Sequence, residues 1–315
     1  MKTRNLLLAC AFAIILIGVT AAITFSIAQS PSAEEDDRFM DDLNPDVLVF
    51  DHMDQVIHDI ELPETLDFCG EPVPMDRFYV RESLERELLA NTHLHTSTLL
   101  VMKRTTRWFP VIEPIMRKSN LPEDFKYLAM TESALTNAVS PAKAVGFWQF
   151  LEGTGKQYGL EINKEVDRRY DLEMETQAAC SFLNDLYRRF GSWTLAAAAY
   201  NCGGGKISRT IEEQQVNSYY DMLLPNETER YVFRILAFKI LMSDPKKFGY
   251  QISDDGWYQP LDYKTITVTE SIDNLAQFAV DQGTNLKMLK YYNPWLRSNT
   301  LTISTGNSYV IKLPR

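Results

Sequence analysis

The sequence of 315 residues predicts a mainly α fold that ends in a small α+β unit. Apolar residues recur at helical spacing from about residue 80 to residue 245, and Gly or Pro residues stand where helical segments end. After Gly249 the pattern changes, because "YKTITVT" and "NSYVIKL" alternate like β-strands and enclose two short helical patterns. We therefore expect a helical domain over residues 80–249 and a separate β-α-α-β domain over residues 260–315.

The N-terminal segment has the pattern of a chain that is exported across a membrane. Lys2 and Arg4 precede an uncharged run from Leu6 to Ala28. The run is long enough to span a bilayer as an anchor, with the positive residues on the cytoplasmic side. A cleaved secretory signal has the same layout. A signal peptide and a membrane anchor over residues 1–28 are therefore both open alternatives, and both imply export.

The next segment, residues 29–79, begins with a polar and acidic stretch and continues with a mixture of Pro and apolar residues. An acidic, polar stretch buries too little apolar surface to fold alone. We expect a linker that continues as a segment wrapping the surface of the helical domain.

Composition argues against several classes of function. The net charge is −10 and no basic cluster stands out, so no nucleic-acid partner is predicted. All four histidines lie at or before residue 95, no pair of cysteines has zinc-site spacing, and no glycine-rich phosphate loop follows a strand. We predict no metal site and no cofactor.

One acidic residue stands on an apolar helical stripe. Phe125, Leu128 and Ala129 occupy positions i, i+3 and i+4 of a predicted helix, and Glu132 follows at i+7. Carboxylates are almost never fully buried unless they are paired. Glu132 is therefore either a surface or arginine-paired carboxylate, or a general acid whose pKa is raised by an apolar pocket, as glycoside cleavage requires.

Most glycosidases also need a second carboxylate. The candidates downstream of Glu132 lie on no apolar stripe: Glu152, Glu161, Glu165, Asp167 and Asp171. Four of them belong to the charged stretch 160–171, which predicts a solvated loop, while residues 137–147 predict a turn-rich loop followed by a helix through Phe150. A mechanism with a single acid therefore needs consideration.

Three blocks, "ESALTNAVSPAKAVGFWQF", "AAAAYNCGG" and "LPNETERYV", follow one another in this order. They resemble the Glu-Ser, Gly-Leu-x-Gln, Ala-Tyr-Asn and Glu-Thr-x-x-Tyr-Val blocks of the lytic murein transglycosylases, in particular the membrane-bound type D group. The resemblance implies that residues 80–249 form a lysozyme-like (goose-type) helical catalytic domain. It also implies an enzyme of cell-wall remodelling in the periplasm of a bacterial envelope.

The resemblance assigns the family's single catalytic acid/base to Glu132. The implied reaction is non-hydrolytic cleavage of the β-1,4 bond between N-acetylmuramic acid and N-acetylglucosamine in peptidoglycan. The acid protonates the glycosidic oxygen and then takes the proton of the sugar's own 6-hydroxyl, which closes a 1,6-anhydro ring without a second carboxylate. Two alternatives stay open, a goose-type lysozyme that uses water and a catalytically inactive peptidoglycan-binding protein.

The resemblance also implies a set of substrate-binding residues within these blocks: Ser133, Ser140, Gln149, Tyr200, Asn201 and Tyr231. In the alternative interpretations, Ser133 satisfies only a backbone carbonyl, Gln149 lies on a helix surface and Tyr231 packs in the core. The family resemblance suggests the hydroxyl of Tyr200 as the group that orients Glu132. The loop departs from the family pattern at Lys143, where a glycine is usual.

Residues 263–314 resemble a divergent LysM module, a type of module that binds chains containing N-acetylglucosamine. The stretch "ITVTESIDNLAQFAVDQGTNLKMLKYYNPW" has the strand, the two helices and the Asn-Pro, while Thr269–Glu270–Ser271 replace the usual Gly-Asp. Glycan binding and a purely structural role are both open. The expected partners are peptidoglycan glycan strands and, through residues 1–28, a membrane; the sequence predicts no oligomeric state.

Overall fold

The computed structural model describes residues 59–315. The expected signal peptide or membrane anchor and most of the predicted linker lie outside these residues. Among residues 59–315, none of the helices combines the length and the apolar character that crossing a bilayer requires.

The described chain begins with a short antiparallel hairpin of β1 (Asp67–Phe68) and β2 (Glu71–Pro72). Eight helices follow: α1 (Phe78–His93), α2 (His95–Lys118), α3 (Lys126–Ser133), α4 (Glu152–Gln157), α5 (Leu172–Phe190), α6 (Trp193–Cys202), α7 (Gly204–Gln214) and α8 (Asn226–Ser243). The predicted mainly α class is confirmed for this part of the chain.

The hairpin packs on the helical domain and holds the start of α6. Phe68 is fully buried and meets Phe125 edge to face, with ring centroids 5.3 Å apart. The carboxylate of Glu71 accepts hydrogen bonds from the backbone nitrogens of Trp193 and Thr194. A carboxylate at this place satisfies free backbone donors and complements the positive end of the helix dipole. The segment before α1 thus fixes the helix whose other end carries Tyr200 and Asn201.

Helix α8 lies at the centre of the helical core and contacts α1, α3 and α6. Its buried face includes Tyr231, Val232 and Leu236. Helix α6 can approach closely because Ala196–Ala199 are all fully buried and none has a side chain larger than a methyl group. This close packing of small residues places α6 directly against α5 and α8.

The C-terminal domain is the expected β-α-α-β unit. It consists of β3 (Tyr263–Val268), α9 (Leu275–Asp281), α10 (Leu286–Tyr292) and β4 (Tyr309–Pro314). The two strands pair antiparallel, from Tyr263 opposite Pro314 to Val268 opposite Tyr309. Asparagine side chains cap both helices, Asn274 for α9 and Asn285 for α10. The small α+β class is therefore confirmed.

The charged stretch 160–171 packs against the C-terminal domain, so its prediction as a solvated loop is wrong. Val166 is only 1% exposed, belongs to the core of the C-terminal domain and pairs with Leu296 in an isolated β-bridge. The backbone nitrogen of Asp167 donates to the oxygen of Trp295 (3.0 Å), and the guanidinium of Arg168 lies 3.8 Å from the centre of the Trp295 ring. Val166 is thus buried in this contact, and the charged Asp167 and Arg169 beside it are also buried and pair with each other.

Replacing Val166 by Ala should lower the free energy of unfolding by roughly 1–3 kcal/mol, because it opens a cavity in the joint core. Val139→Ala is the matched control, since Val139 also lies in an isolated β-bridge but is 58% exposed. Urea denaturation of both variants measures the difference. Equal small losses would show that Val166 does not contribute to a packed junction.

Candidate active site

Glu132 lies half-buried in the last turn of α3, and its hydrogen-bond partner is an uncharged side chain. The stripe that leads to it is buried as the sequence predicts, because Phe125, Leu128 and Ala129 are each 0% exposed. The hydroxyl of Tyr231, on the buried face of α8, donates a hydrogen bond to Oε1 of Glu132. The carboxyl group is therefore held at the crossing of α3 and α8 by a phenol, not by an arginine.

Burial raises the pKa of Glu132 to about 7. The hydrogen bond from Tyr231 lowers this pKa in part, and the nearby charges of Glu227 and Arg234 add smaller raising and lowering effects. A group with a pKa near neutrality can both give and take a proton under physiological conditions. Burial and the adjacent carboxyl group raise the pKa of Tyr231 well above its ordinary value, so the phenol stays protonated as a donor.

The C-terminal end of α6 brings Tyr200 and Asn201 to the same region. The hydroxyl of Tyr200 donates to the backbone oxygen of Trp148 at 2.6 Å, so Tyr231 rather than Tyr200 holds Glu132. Burial, followed by the charge of Glu132, raises the pKa of Tyr200 well above its usual range. Oδ1 of Asn201 accepts from the hydroxyl of Thr228 at 2.7 Å, while its amide nitrogen makes no hydrogen bond to residues 59–315. The role of Asn201 toward a substrate stays a prediction.

The predicted helix through Phe150 is wrong, because residues 145–150 form a tight turn. Val145 and Phe150 pair in an antiparallel bridge, and the next helix begins only at Glu152. Gly146 has φ 89° and Gln149 has φ 50°, which a right-handed helix does not allow. Nε2 of Gln149 donates to the backbone oxygens of Gly146 (2.8 Å) and Ala138 (3.0 Å), so this side chain ties the loop together.

The two predicted serines also engage the backbone of this loop. The hydroxyl of Ser133 donates to the oxygen of Phe147 at 3.0 Å, and Oγ of Ser140 accepts from the nitrogen of Ala144 at 3.0 Å. For Ser133 this is the interpretation in which the side chain satisfies a backbone carbonyl. The roles of Ser133, Ser140 and Gln149 toward a substrate stay predictions.

Glu175 on α5 is a buried carboxylate that sequence reasoning missed. It is 0% exposed, and its two oxygens accept from the backbone nitrogens of Phe147 (3.1 Å) and Trp148 (3.2 Å). Burial raises its pKa well above the usual range. A Cβ atom at Gly146 would lie 2.3 Å from Oε2 of Glu175, so only glycine fits there. Glu175 follows the buried Leu172 by three positions, and this stripe is the same signal that identified Glu132.

Each carboxylate considered as a second catalytic group has a partner elsewhere. The pairs are Glu152 with Lys156, Glu161 with Tyr309, Glu165 with Thr300, Asp167 with Arg169, and Asp171 with Arg168. Within residues 59–315 no cluster of His, Cys, Asp and Glu could hold a metal ion. The site therefore centres on the half-buried Glu132, with Tyr231, Tyr200 and Asn201 around it. The carboxylate of Glu227, whose charge also reaches Glu132, is exposed in the first turn of α8.

Comparisons with known proteins identify the domains around this geometry. Residues 109–223 match the family Transglycosylase SLT domain, and residues 264–315 match the family Soluble lytic transglycosylase C-terminal LysM-like domain. The chain therefore carries an SLT domain followed by a LysM-like domain. Glu132, Gln149 and the Tyr200–Asn201 pair all lie inside the SLT match, while Tyr231 lies beyond its end.

Several individual proteins are similar to the chain. Membrane-bound lytic murein transglycosylase D of Escherichia coli (strain K12) is 29% identical over 253 residues, which cover 78% of this chain and 54% of that protein. A putative tributyltin chloride resistance protein of Alteromonas sp. (strain M-1) is 31% identical over 125 residues, covering 39% of this chain and 60% of that protein. The chain thus spans about half the length of the type D relative that it matches.

Among solved structures, the crystal structure of the 70 kDa soluble lytic transglycosylase from Escherichia coli matches with a TM-score of 0.40 and 19% identity. The match covers 57% of this chain and 32% of that chain.

Lys143, the departure from the family loop, has φ 64° in the left-handed region. A residue with a Cβ atom is strained there by about 1–2 kcal/mol, and glycine is not. Lys143→Gly should therefore raise the free energy of unfolding by about 0.5–1 kcal/mol once the entropy of glycine in the unfolded chain is included. Lys143→Ala keeps the strain and serves as the control. An equal gain in both variants, measured by urea denaturation, would contradict the explanation from backbone strain.

Tyr231→Phe should raise the pKa of Glu132 above 7, by about 1–2 pKa units. The reason is that the hydrogen bond from Tyr231 stabilises the ionised carboxylate, and the variant lacks this bond. An NMR titration with ¹³C-labelled glutamate carboxyl groups measures this pKa. The control is Tyr158→Phe, because the hydroxyl of Tyr158 donates to Asp185 at 3.1 Å instead. An unchanged or lower pKa in Tyr231→Phe would show that the phenol does not stabilise the carboxylate.

Proposed function

We propose that the protein is a peptidoglycan lytic transglycosylase that cleaves the β-1,4 bond between N-acetylmuramic acid and N-acetylglucosamine and leaves 1,6-anhydromuramoyl ends. The observation that carries the proposal is Glu132, an acid with a pKa of about 7 that a protonated tyrosine holds in place. The SLT and LysM-like matches and the similarity to transglycosylase D support it.

In the first step the protonated carboxyl group of Glu132 gives its proton to the glycosidic oxygen as the bond from that oxygen to C1 of the muramic acid breaks. A pKa near 7 keeps a large fraction of the acid protonated at neutral pH. The acetamido oxygen of the same sugar stabilises the positive charge that develops at C1, as in the substrate-assisted exceptions to the two-carboxylate rule. The leaving sugar departs with the proton as a free hydroxyl.

In the second step the carboxylate of Glu132 takes the proton of the 6-hydroxyl, whose oxygen bonds to C1 and closes the anhydro ring. The acid is then protonated again, so the proton balance closes over one turnover. Attack by a hydroxyl of the same sugar gains from proximity, and no base is needed to activate water. None of the five carboxylates downstream of Glu132 that were considered is free of a partner. This fits the anhydro route better than hydrolysis, which requires a second carboxylate to activate water.

The residues around the acid divide into two proposed roles. The free amide nitrogen of Asn201 donates to an acetamido carbonyl of the substrate, since its oxygen is already bound to Thr228. The second role is to form the walls of the site and to hold the loop beside Glu132. We assign it to Tyr200, Ser133, Ser140 and Gln149, whose remaining polar atoms contact the substrate.

The proposed setting is a bacterial cell envelope. Residues 1–28 carry the pattern of a signal peptide or a membrane anchor, and the related protein of Escherichia coli is described as membrane-bound. We place the catalytic domain on the periplasmic side, where peptidoglycan is the substrate and the LysM-like domain contributes binding of glycan strands.

The test is mass spectrometry of purified peptidoglycan digested with the purified protein. The wild type should release muropeptides with anhydro ends, and Glu132→Gln should reduce the rate by about 10²–10⁴-fold. Glu152→Gln is the control, since Glu152 is exposed and paired with Lys156, and its rate should equal that of the wild type.

The outcomes separate the alternatives. Reducing ends in place of anhydro ends would make the protein a lysozyme, and an unchanged rate in Glu132→Gln would exclude Glu132 as the acid. The variant should fold at pH 8 at least as well as the wild type. In the folded wild type burial raises the pKa of Glu132 from its ordinary value of 4.5 to about 7. Wild-type stability therefore falls as pH rises from about 4.5 to about 7, and the neutral amide avoids that loss.

A further inference from the structure

A cavity of about 440 Å³ lies between the helical domain and the LysM-like domain. Aromatic rings from both domains line it: Trp108 and Phe147 on one side, and Tyr263, Tyr292 and Trp295 on the other. None of the seven predicted site residues belongs to its lining. Its volume and its apolar walls are typical of pockets that bind a small ligand.

The charged groups of this cavity are already engaged within the protein. Lys312 pairs with Glu173, and Asp171 pairs with Arg168. Arg107 donates to the backbone oxygen of Gln259 and to the hydroxyl of Tyr291, and Lys290 donates to Asn299. A charged ligand that displaced a member of the Lys312–Glu173 or Arg168–Asp171 pair would break a partly buried ion pair, which is costly.

The neutral groups of the cavity are the ones without partners. The hydroxyls of Tyr170, Tyr263 and Tyr292 and the side-chain amide of Asn137 line it, and none of them makes a hydrogen bond to another residue of the described part. Aromatic rings offer an apolar surface and the tyrosine hydroxyls a polar edge. Apolar faces combined with unpaired neutral donors and acceptors suit an uncharged ligand rich in hydroxyl and acetamido groups.

The cavity and the site around Glu132 share a wall. Asn137 follows Glu132 by five residues, which limits their separation to about 18 Å. The backbone oxygen of Phe147, a lining residue, accepts from the hydroxyl of Ser133, and the Trp108 ring meets the Phe147 ring edge to face with centroids 5.4 Å apart. The loop that carries Asn137 and Phe147 therefore lies beside both the cavity and Ser133, the neighbour of Glu132.

We propose that this cavity is a second saccharide subsite, which holds a further N-acetylated sugar of the glycan strand that Glu132 cleaves. The proposal rests on the proposed function for the identity of the strand. The contact at Val166 and Trp295 fixes the position of the LysM-like domain relative to the helical domain. The distance between a sugar bound in the cavity and Glu132 is therefore fixed as well. Binding there lowers the KM for long strands and leaves the chemical step at Glu132 unchanged.

The test measures binding in the full chain carrying Glu132→Gln, which prevents cleavage, with the β-1,4-linked tetramer of N-acetylglucosamine as the probe. Adding Tyr292→Ala or Asn137→Ala should weaken binding about 5- to 10-fold, the effect of one lost ring contact or hydrogen bond. Phe78→Ala is the matched control, because Phe78 is an aromatic residue with 70% exposure on α1, outside the cavity lining. Calorimetry gives the affinities, and circular dichroism shows that each variant folds.

Two further readouts locate the ligand and identify its class. The side-chain amide signal of Asn137 in an NMR spectrum should shift when the tetramer is added, and an N-acetylated dipeptide with free carboxylates should leave it unchanged. In variants with an intact Glu132, Tyr292→Ala should raise the KM for polymeric peptidoglycan with an unchanged kcat. A shift of the Asn137 signal by the dipeptide alone would overturn the assignment to a sugar.

The outcome for the cavity is separable from the outcome for the reaction. If the wild type forms anhydro products but the tetramer binds Tyr292→Ala, Asn137→Ala and Phe78→Ala equally well, the second subsite is excluded and the proposed reaction stands. If no anhydro product forms but the tetramer binds in the cavity as expected, the reaction is excluded and the saccharide site stands.

Discussion

The hydrogen bond from Tyr231 to Glu132 is the interaction on which the site depends. It joins α8, the central helix of the core, to the last turn of α3, and it holds the half-buried carboxyl group at a fixed place. Burial alone would raise the pKa of this acid further, and the phenol limits that rise. The acid is therefore positioned and its pKa brought near neutrality by the same contact, which makes one group suitable for both proton transfers of the proposed reaction.

Glu132 and Glu175 both lie on apolar helical stripes, but their surroundings give them different roles. Glu132 is half-buried and faces one hydroxyl, so it keeps an oxygen available for chemistry. Glu175 is fully buried and receives two backbone N–H groups from the turn that carries Gly146 and Trp148, so its role is to shape that turn. The same turn supplies the carbonyl that anchors Tyr200. The geometry around Glu132 thus relies on a second carboxylate that is fully buried.

The contact between the helical and LysM-like domains gives the second domain a fixed place beside the first. Val166 enters the core of the LysM-like domain, and hydrogen bonds and ring stacking at Asp167 and Arg168 surround it. A domain attached by a flexible linker would raise only the local concentration of the enzyme on its polymer. A docked domain instead adds a wall beside the helical domain, and the aromatic cavity between the domains is a direct result.

The sequence by itself determined the helical and β-α-α-β parts, because hydrophobic periodicity reports which face of an element is buried. It also singled out Glu132, which interrupts such a face, while the catalytic role of this residue stays a prediction. It did not determine which tyrosine holds Glu132, since Tyr200 and Tyr231 lie on different helices and only their packing decides which hydroxyl reaches the carboxyl group. The turn at residues 145–150 and the docking of residues 160–171 also escaped sequence reasoning. Positive φ at Gln149 is imposed by hydrogen bonds to Ala138 and Gly146. Glu161, Glu165 and Arg168 contact Tyr309, Thr300 and Trp295 on a domain that is distant in sequence. Local patterns encode burial, whereas such partners are set by tertiary contacts alone.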